Sequence, residues 1–136
     1  MMRLTVLATL FALVAACAGG PREEDPEIVA IQDFIAVSEL EPADRIRTDN
    51  NNNYGILNAK YIIFESRRDM YLVEFQRNCW ELFDSQVIAY DERRDARYMR
   101  PRVDTIRGCL IGRAFEINEG QKAELEAMGD APGGVR

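Results

Sequence analysis

Tyr61-Ile62-Ile63-Phe64-Glu65, Ser66-Arg67-Arg68-Asp69, Met70-Tyr71-Leu72-Val73-Glu74-Phe75: this stretch decides the fold class. Both apolar runs are rich in β-branched and aromatic residues, and the four polar residues between them suit a short hairpin loop. Alternation puts Tyr71, Val73 and Phe75 on one face of the second strand and Met70 and Leu72 on the other.

Downstream, Gln86 to Tyr90, Val103 to Arg107 and Leu110 to Ile117 are three further strand candidates. Asn118 followed by Gln121 has the form of a capping box, so a helix is expected through Leu125 and Met128, stopped by Gly129. Upstream, Arg45-Ile46-Arg47 alternates as a short strand would. Asp49 to Gly55 (D-N-N-N-N-Y-G) reads as a turn-prone loop. Asp25-Pro26-Glu27 is a helix start, with Ile28, Ile31, Phe34 and Ile35 largely on one face and an end at Glu41-Pro42. The β-branched content of that segment leaves a strand as the competing reading. The sum is an α+β domain: a small antiparallel sheet of about five short strands, an N-terminal and a C-terminal helix, and one disulfide.

The chain has 136 residues, 17 basic and 23 acidic side chains, and no histidine. Without imidazole there is no serine–histidine or cysteine–histidine nucleophile pair and no histidine-ligated metal. Serine occurs only at positions 38, 66 and 85, none of them in a G-x-S-x-G elbow. A net charge of −6 argues against a nucleic-acid partner. Neither a cofactor nor a metal is expected, and no catalytic residue is assigned.

The N-terminus reads Met1-Met2-Arg3, an apolar run from Leu4 to Ala16, then Cys17. Thirteen apolar residues are too few for a membrane span, which needs about twenty, but they suit a secretory signal. Val14-Ala15-Ala16-Cys17 resembles a lipobox, the site at which bacterial lipoprotein signals are cut and the new terminal cysteine is acylated. The expected organisation is a signal peptide over 1–16, a lipidated tether over 17–25, one domain over 26–129 and a disordered tail over 130–136. By the same resemblance, Ala18 in place of aspartate suggests the outer membrane, with the domain facing the periplasm.

Lipidation of Cys17 accounts for the odd cysteine of three and leaves Cys79 and Cys109 in a compartment that favours disulfides. A redox pair is the alternative, though the two are thirty positions apart with no C-x-x-C. Trp80 is expected to pack near the bridge as part of the core. Asp49, Asn51 and Asn53 match the start of an EF-hand loop, but Tyr54 and Lys60 stand where it requires glycine and glutamate. Asp91 to Arg102 carries five arginines and three acids, which reads either as an anion or headgroup clamp or as a solvated charged loop. Asp104 and Arg107, close to the presumed bridge, are the remaining candidates for contact with a ligand or anion.

Taken together, Arg45-Ile46-Arg47, the Tyr71-Leu72-Val73 strand ahead of Cys79, and Asp104-Thr105-Ile106-Arg107-Gly108-Cys109-Leu110-Ile111 resemble a family of small Gram-negative envelope proteins known only as a domain of unknown function. The resemblance runs from about Asp33 to Ile117 and implies a shared fold and address, with no activity attached. The function expected is a non-catalytic, lipid-anchored module that binds or braces another envelope component. Its partners would be the membrane, through Cys17, and an envelope protein or ligand. The alternatives are an enzyme built on carboxylates and arginines, with Asp104 its nearest acid, and a small-ligand binder using the mouth of a curved sheet.

Overall fold

The computed structural model describes residues 24–49, 52–84 and 97–129. Helix α1 (Pro26–Val37) is followed by strands β1 (Ile46–Arg47), β2 (Asn53–Ile56), β3 (Tyr61–Glu65) and β4 (Met70–Phe75). A 3-10 turn (Trp80–Phe83), β5 (Tyr98–Met99), β6 (Thr105–Ile106), β7 (Cys109–Ile117) and helix α2 (Glu119–Met128) complete it. Five strands form one antiparallel sheet in the order β2-β3-β4-β7-β6, while β1 and β5 form a separate two-stranded ribbon. The fold is α+β, with helices at both ends of the domain.

The expected hairpin is the middle of that sheet, with Glu65 opposite Met70 and Tyr61 opposite Glu74. Its two faces carry two cores. Tyr71, Val73 and Phe75 join Ile62, Phe64, Ile111, Ala114 and the two cysteines on one side. Leu72 joins Tyr61, Ile63, Phe115 and Ile117 on the other, beneath Ile31, Phe34 and Ile35 of α1 and Leu125 of α2. Helices therefore cover one face, and the ribbon, the 3-10 turn and the disulfide cover the other.

A bulge keeps β7 in register with both cores. Glu74 pairs with Arg113 but Phe75 pairs with Ile111, so Gly112 is the extra residue. A Cβ on Gly112 would lie 3.1 Å from the Glu74 carbonyl oxygen and 3.2 Å from the Gln76 nitrogen, so glycine lets the backbones approach. Because of this shift Ile111 and Ala114, three apart, face the same core.

Three of the four helix ends follow the sequence, while α1 stops at Val37, ahead of the expected end at Glu41-Pro42. The Asp25 carboxylate accepts from the Glu27 N–H at 3.1 Å with Pro26 in the first turn. Asn118 and Gln121 complete a reciprocal capping box at 2.9 and 3.0 Å. At the far end of α1 the Leu40 N–H reaches the Ile35 carbonyl and the Glu39 N–H the Ala36 carbonyl, a Schellman closure. Its left-handed position, φ 49°, is filled by Glu39 rather than glycine. Left-handed backbone costs a residue with a Cβ about 1–2 kcal/mol. Glu39→Gly is therefore expected to stabilise the domain by about 1 kcal/mol, measured by urea denaturation.

Three further expectations need correction. Asn53–Ile56, read as part of a loop, is edge strand β2, paired from Asn53 with Glu65 to Ile56 with Ile62. Its pairing comes from β3, not from its own asparagine- and glycine-rich composition. The strand proposed over Val103 to Arg107 shrinks to Thr105–Ile106, because Arg107 (φ 54°) and Gly108 (φ 78°) form the tight turn into β7. Trp80 is not core. It is 64% exposed, with its ring 6.3 Å from that of Phe83. Among the EF-hand-like residues, the Asp49 carboxylate accepts the Arg67 N–H at 2.6 Å, fixing the loop to the β3–β4 hairpin. The strand candidate over Gln86 to Tyr90, the signal segment, the tether up to residue 23 and the tail lie outside the described residues.

Candidate functional site

Three places concentrate polar chemistry. The first is the bridge. Cys79 and Cys109 are bonded, with Cα atoms 5.8 Å apart, and both are fully buried. Cys79 ends the connection from β4 and Cys109 opens β7, so the bond joins the 3-10 turn to the last two strands. The Glu81 carboxylate lies 3.1 Å from the Cys109 sulfur. Arg77 grips the same carboxylate from the other side at 2.5 Å, and that ion pair holds Glu81 below the usual carboxylate range. Cys79, Glu81 and Cys109 are close enough to share a cation, with ligand atoms within 4.8 Å of one another. With the sulfurs bonded to each other, however, the carboxylate is the one anionic ligand of the three.

The second place is the Asp104–Arg107 turn. The Asp104 carboxylate accepts the Arg100 N–H at 2.6 Å, and the Asp104 N–H returns to the Arg100 carbonyl. It staples its own turn. Arg107 donates from a terminal guanidinium nitrogen to the Asp84 carbonyl at 2.8 Å, while its buried Nε has no hydrogen bond among the described residues. Asp104 and Arg107 therefore serve two neighbouring turns, one through a carboxylate and one through a guanidinium.

The third place lay hidden in the sequence. An open cleft of about 710 Å³ lies at the C-terminal end of α1, lined by Gln32, Ile35, Glu39, Leu40, Pro42 and Arg113 among others. Arg113 crosses its floor, bonded to Glu74 at 2.6 Å and stacked 5.3 Å from the Phe115 ring centroid. Lys60 stands 4.0 Å from the same Glu74. Arg113, Glu74 and Lys60 come from β7, β4 and the β2–β3 turn, and only the sheet register brings them together. Tyr61, beside this group on β3, is wholly buried. Burial first, and the Glu74 carboxylate second, push its pKa up to about 12, against smaller opposing pulls from Arg113 and Gln32.

The sign of the linkage follows. The folded state holds the Tyr61 proton more tightly than the unfolded chain does, so stability is full below pH 10 and falls as pH rises from 10 towards 12. Of the chain's five tyrosines, Tyr61 is expected to ionise with unfolding in a 295 nm titration, and Tyr61→Phe should flatten the alkaline loss of stability.

A disulfide-braced α+β domain with a two-sided sheet and an open polar cleft is the class these features define. The sequence matches the Family of unknown function (DUF6491) over residues 1–127, and the chain belongs to that family. No curated protein matches the chain. No solved structure matches it either. Among the described residues, no helix is long and apolar enough to cross a membrane.

Proposed function

We propose that this protein is a lipid-anchored envelope module, held to the outer membrane through Cys17 and facing the periplasm, which binds or braces another envelope component without catalysis. One observation carries the reading: Cys79 and Cys109 are bonded to each other, so Cys17 is the odd cysteine, and it stands in Val14-Ala15-Ala16-Cys17. A buried disulfide suits an oxidising compartment. An acylated terminal cysteine would hold at the membrane a domain in whose described residues no helix is long and apolar enough to cross one. The employment of Asp104 as a turn staple weighs against the carboxylate enzyme, because an acid committed to a backbone N–H is poorly placed for proton transfer. The small-ligand alternative calls for a dry apolar cleft, and the cleft beside α1 is open and polar-lined instead.

Cys17→Ser is the test. The wild-type protein is expected to incorporate labelled palmitate and to fractionate with outer membranes, and the variant to do neither. Unlabelled wild-type protein, or a variant that still carries label, would refute the anchor. Turnover of generic ester, phosphate or glycoside substrates that disappears in Asp104→Asn would instead establish the enzyme.

A further inference from the structure

We propose that the β1–β5 ribbon, with the turns beside it, is a basic and aromatic surface that docks on the anionic phospholipid headgroups of the membrane to which the domain is tethered. The inference rests on the anchored reading above for the nearness of that membrane, and on the ribbon itself for the contact.

Ribbon pairing sets Ile46 opposite Met99 and Arg47 opposite Tyr98. Ile46 is fully buried and Met99 packs on the same core, so alternation turns Arg47 and Tyr98 outward. Arg45, Arg47, Arg97, Tyr98, Arg100, Arg102 and Val103 are all exposed. The Arg45 guanidinium lies 5.6 Å from the Tyr98 ring centroid, and Arg47 pairs with Asp69 at 3.3 Å while remaining 58% exposed. Two segments about fifty residues apart in sequence thus form a single arginine face. Trp80, 64% exposed, and Phe83 stand on the 3-10 turn that covers the same side of the sheet, since Cys79 and Leu82 share the core of Ile46.

Charge gives the surface a direction. Residues 44–49 and 97–107 carry six arginines against three aspartates, while the other described residues carry six basic and fifteen acidic groups. Nine of those acids are on or beside α1 and α2, which cover the opposite face of the sheet. An anionic plane attracts the ribbon and repels the helices, so it would orient the whole domain. The mix of exposed rings and guanidiniums fits a bilayer interface better than an acidic protein groove: rings settle at headgroup depth while arginines reach phosphates. The tether supplies proximity. Eight residues, Ala18 to Asp25, span at most about 28 Å, which keeps the domain near the bilayer and raises the effective concentration of a weak surface contact.

Trp80 is the chain's one tryptophan and reports directly on this face. The full chain would be reconstituted into phosphatidylcholine vesicles with and without one quarter phosphatidylglycerol, and Trp80 emission followed with acyl-brominated lipids as quenchers. Expected are a blue shift and quenching on the anionic vesicles alone, abolished near 0.5 M NaCl, where charges a few ångströms apart are screened. The triple variant Arg45→Gln, Arg100→Gln, Arg102→Gln should lose them, at about fivefold in surface affinity per arginine, with its melting curve unchanged. Trp80 unquenched on anionic vesicles, as an acidic protein partner would leave it, overturns the proposal. So does equal quenching on neutral vesicles, or undiminished quenching in a triple variant that is folded. Because Trp80 is read whatever group holds the chain to the vesicle, this result can fail while Cys17 acylation stands, and the reverse.

Discussion

Cys79→Ser is expected to lower the unfolding free energy by about 3.6 kcal/mol, the chain-entropy value for a closed loop of about thirty residues. Against a total of about 5–15 kcal/mol for an ordinary domain, that is a large fraction. The bond ties the 3-10 turn to the start of β7, a junction also held by the Gln76 N–H on the Leu110 carbonyl and by Arg107 on the Asp84 carbonyl. Cys79 leads into the 3-10 turn and Cys109 opens β7 beside the two-residue strand β6. Their side of the sheet is roofed by short pieces, so the ribbon and turn lean on the core that the bridge closes. Cys109→Ser should cost about the same, and the double variant no more than either single one, because both changes remove one bond. Urea denaturation of the three variants checks this. Additive losses would mean that each sulfur stabilises the domain independently.

Phe115→Ala is the second large effect, a loss of about 3–5 kcal/mol. Phe115 sits opposite Leu72 on the central pair of strands, 1% exposed, where both helices meet the sheet. Removing the ring opens a cavity under α1 and takes away the surface on which Arg113 lies. The cleft floor should therefore loosen with the core. Val103→Ala, at a residue 57% exposed, should change stability by no more than about 0.5 kcal/mol. The pair separates a core effect from a general sensitivity to lost methyl groups, and thermal melts of both would show it.

The parts of this fold that were legible in sequence are those where one local pattern sufficed. Alternation in Met70–Phe75 assigned each residue to the core it occupies, because a strand buried on both faces still obeys a period of two. The Asn118–Gln121 box and the Asp25-Pro26 start are local hydrogen-bond chemistry, readable without any partner. Where structure depends on a distant partner, no local pattern shows it. Asn53–Ile56 is a strand because β3 offers it an edge. Trp80 is outside because a single 3-10 turn points Leu82, not Trp80, at the core. Arg107 has left-handed backbone, a conformation its residue type does not advertise.

The candidate sites divide the same way. The bridge follows from counting cysteines, whereas the sequence around Asp104 and Arg107 does not show what either side chain holds. Asp104 is taken up by Arg100, and Arg107 reaches the carbonyl of Asp84. The pairing of Arg113 with Glu74 beside the cleft, and the joining of Arg45 and Arg47 to Arg97, Arg100 and Arg102, require strand register that no sequence window contains.

The most direct test is an intact mass of the protein taken from native membranes without reductant, after alkylation of free thiols. The account predicts a chain that begins at Cys17, carries the mass of its acyl groups, and has no alkylated cysteine. A chain that retains residues 1–16, or one with Cys79 and Cys109 both alkylated, would contradict it.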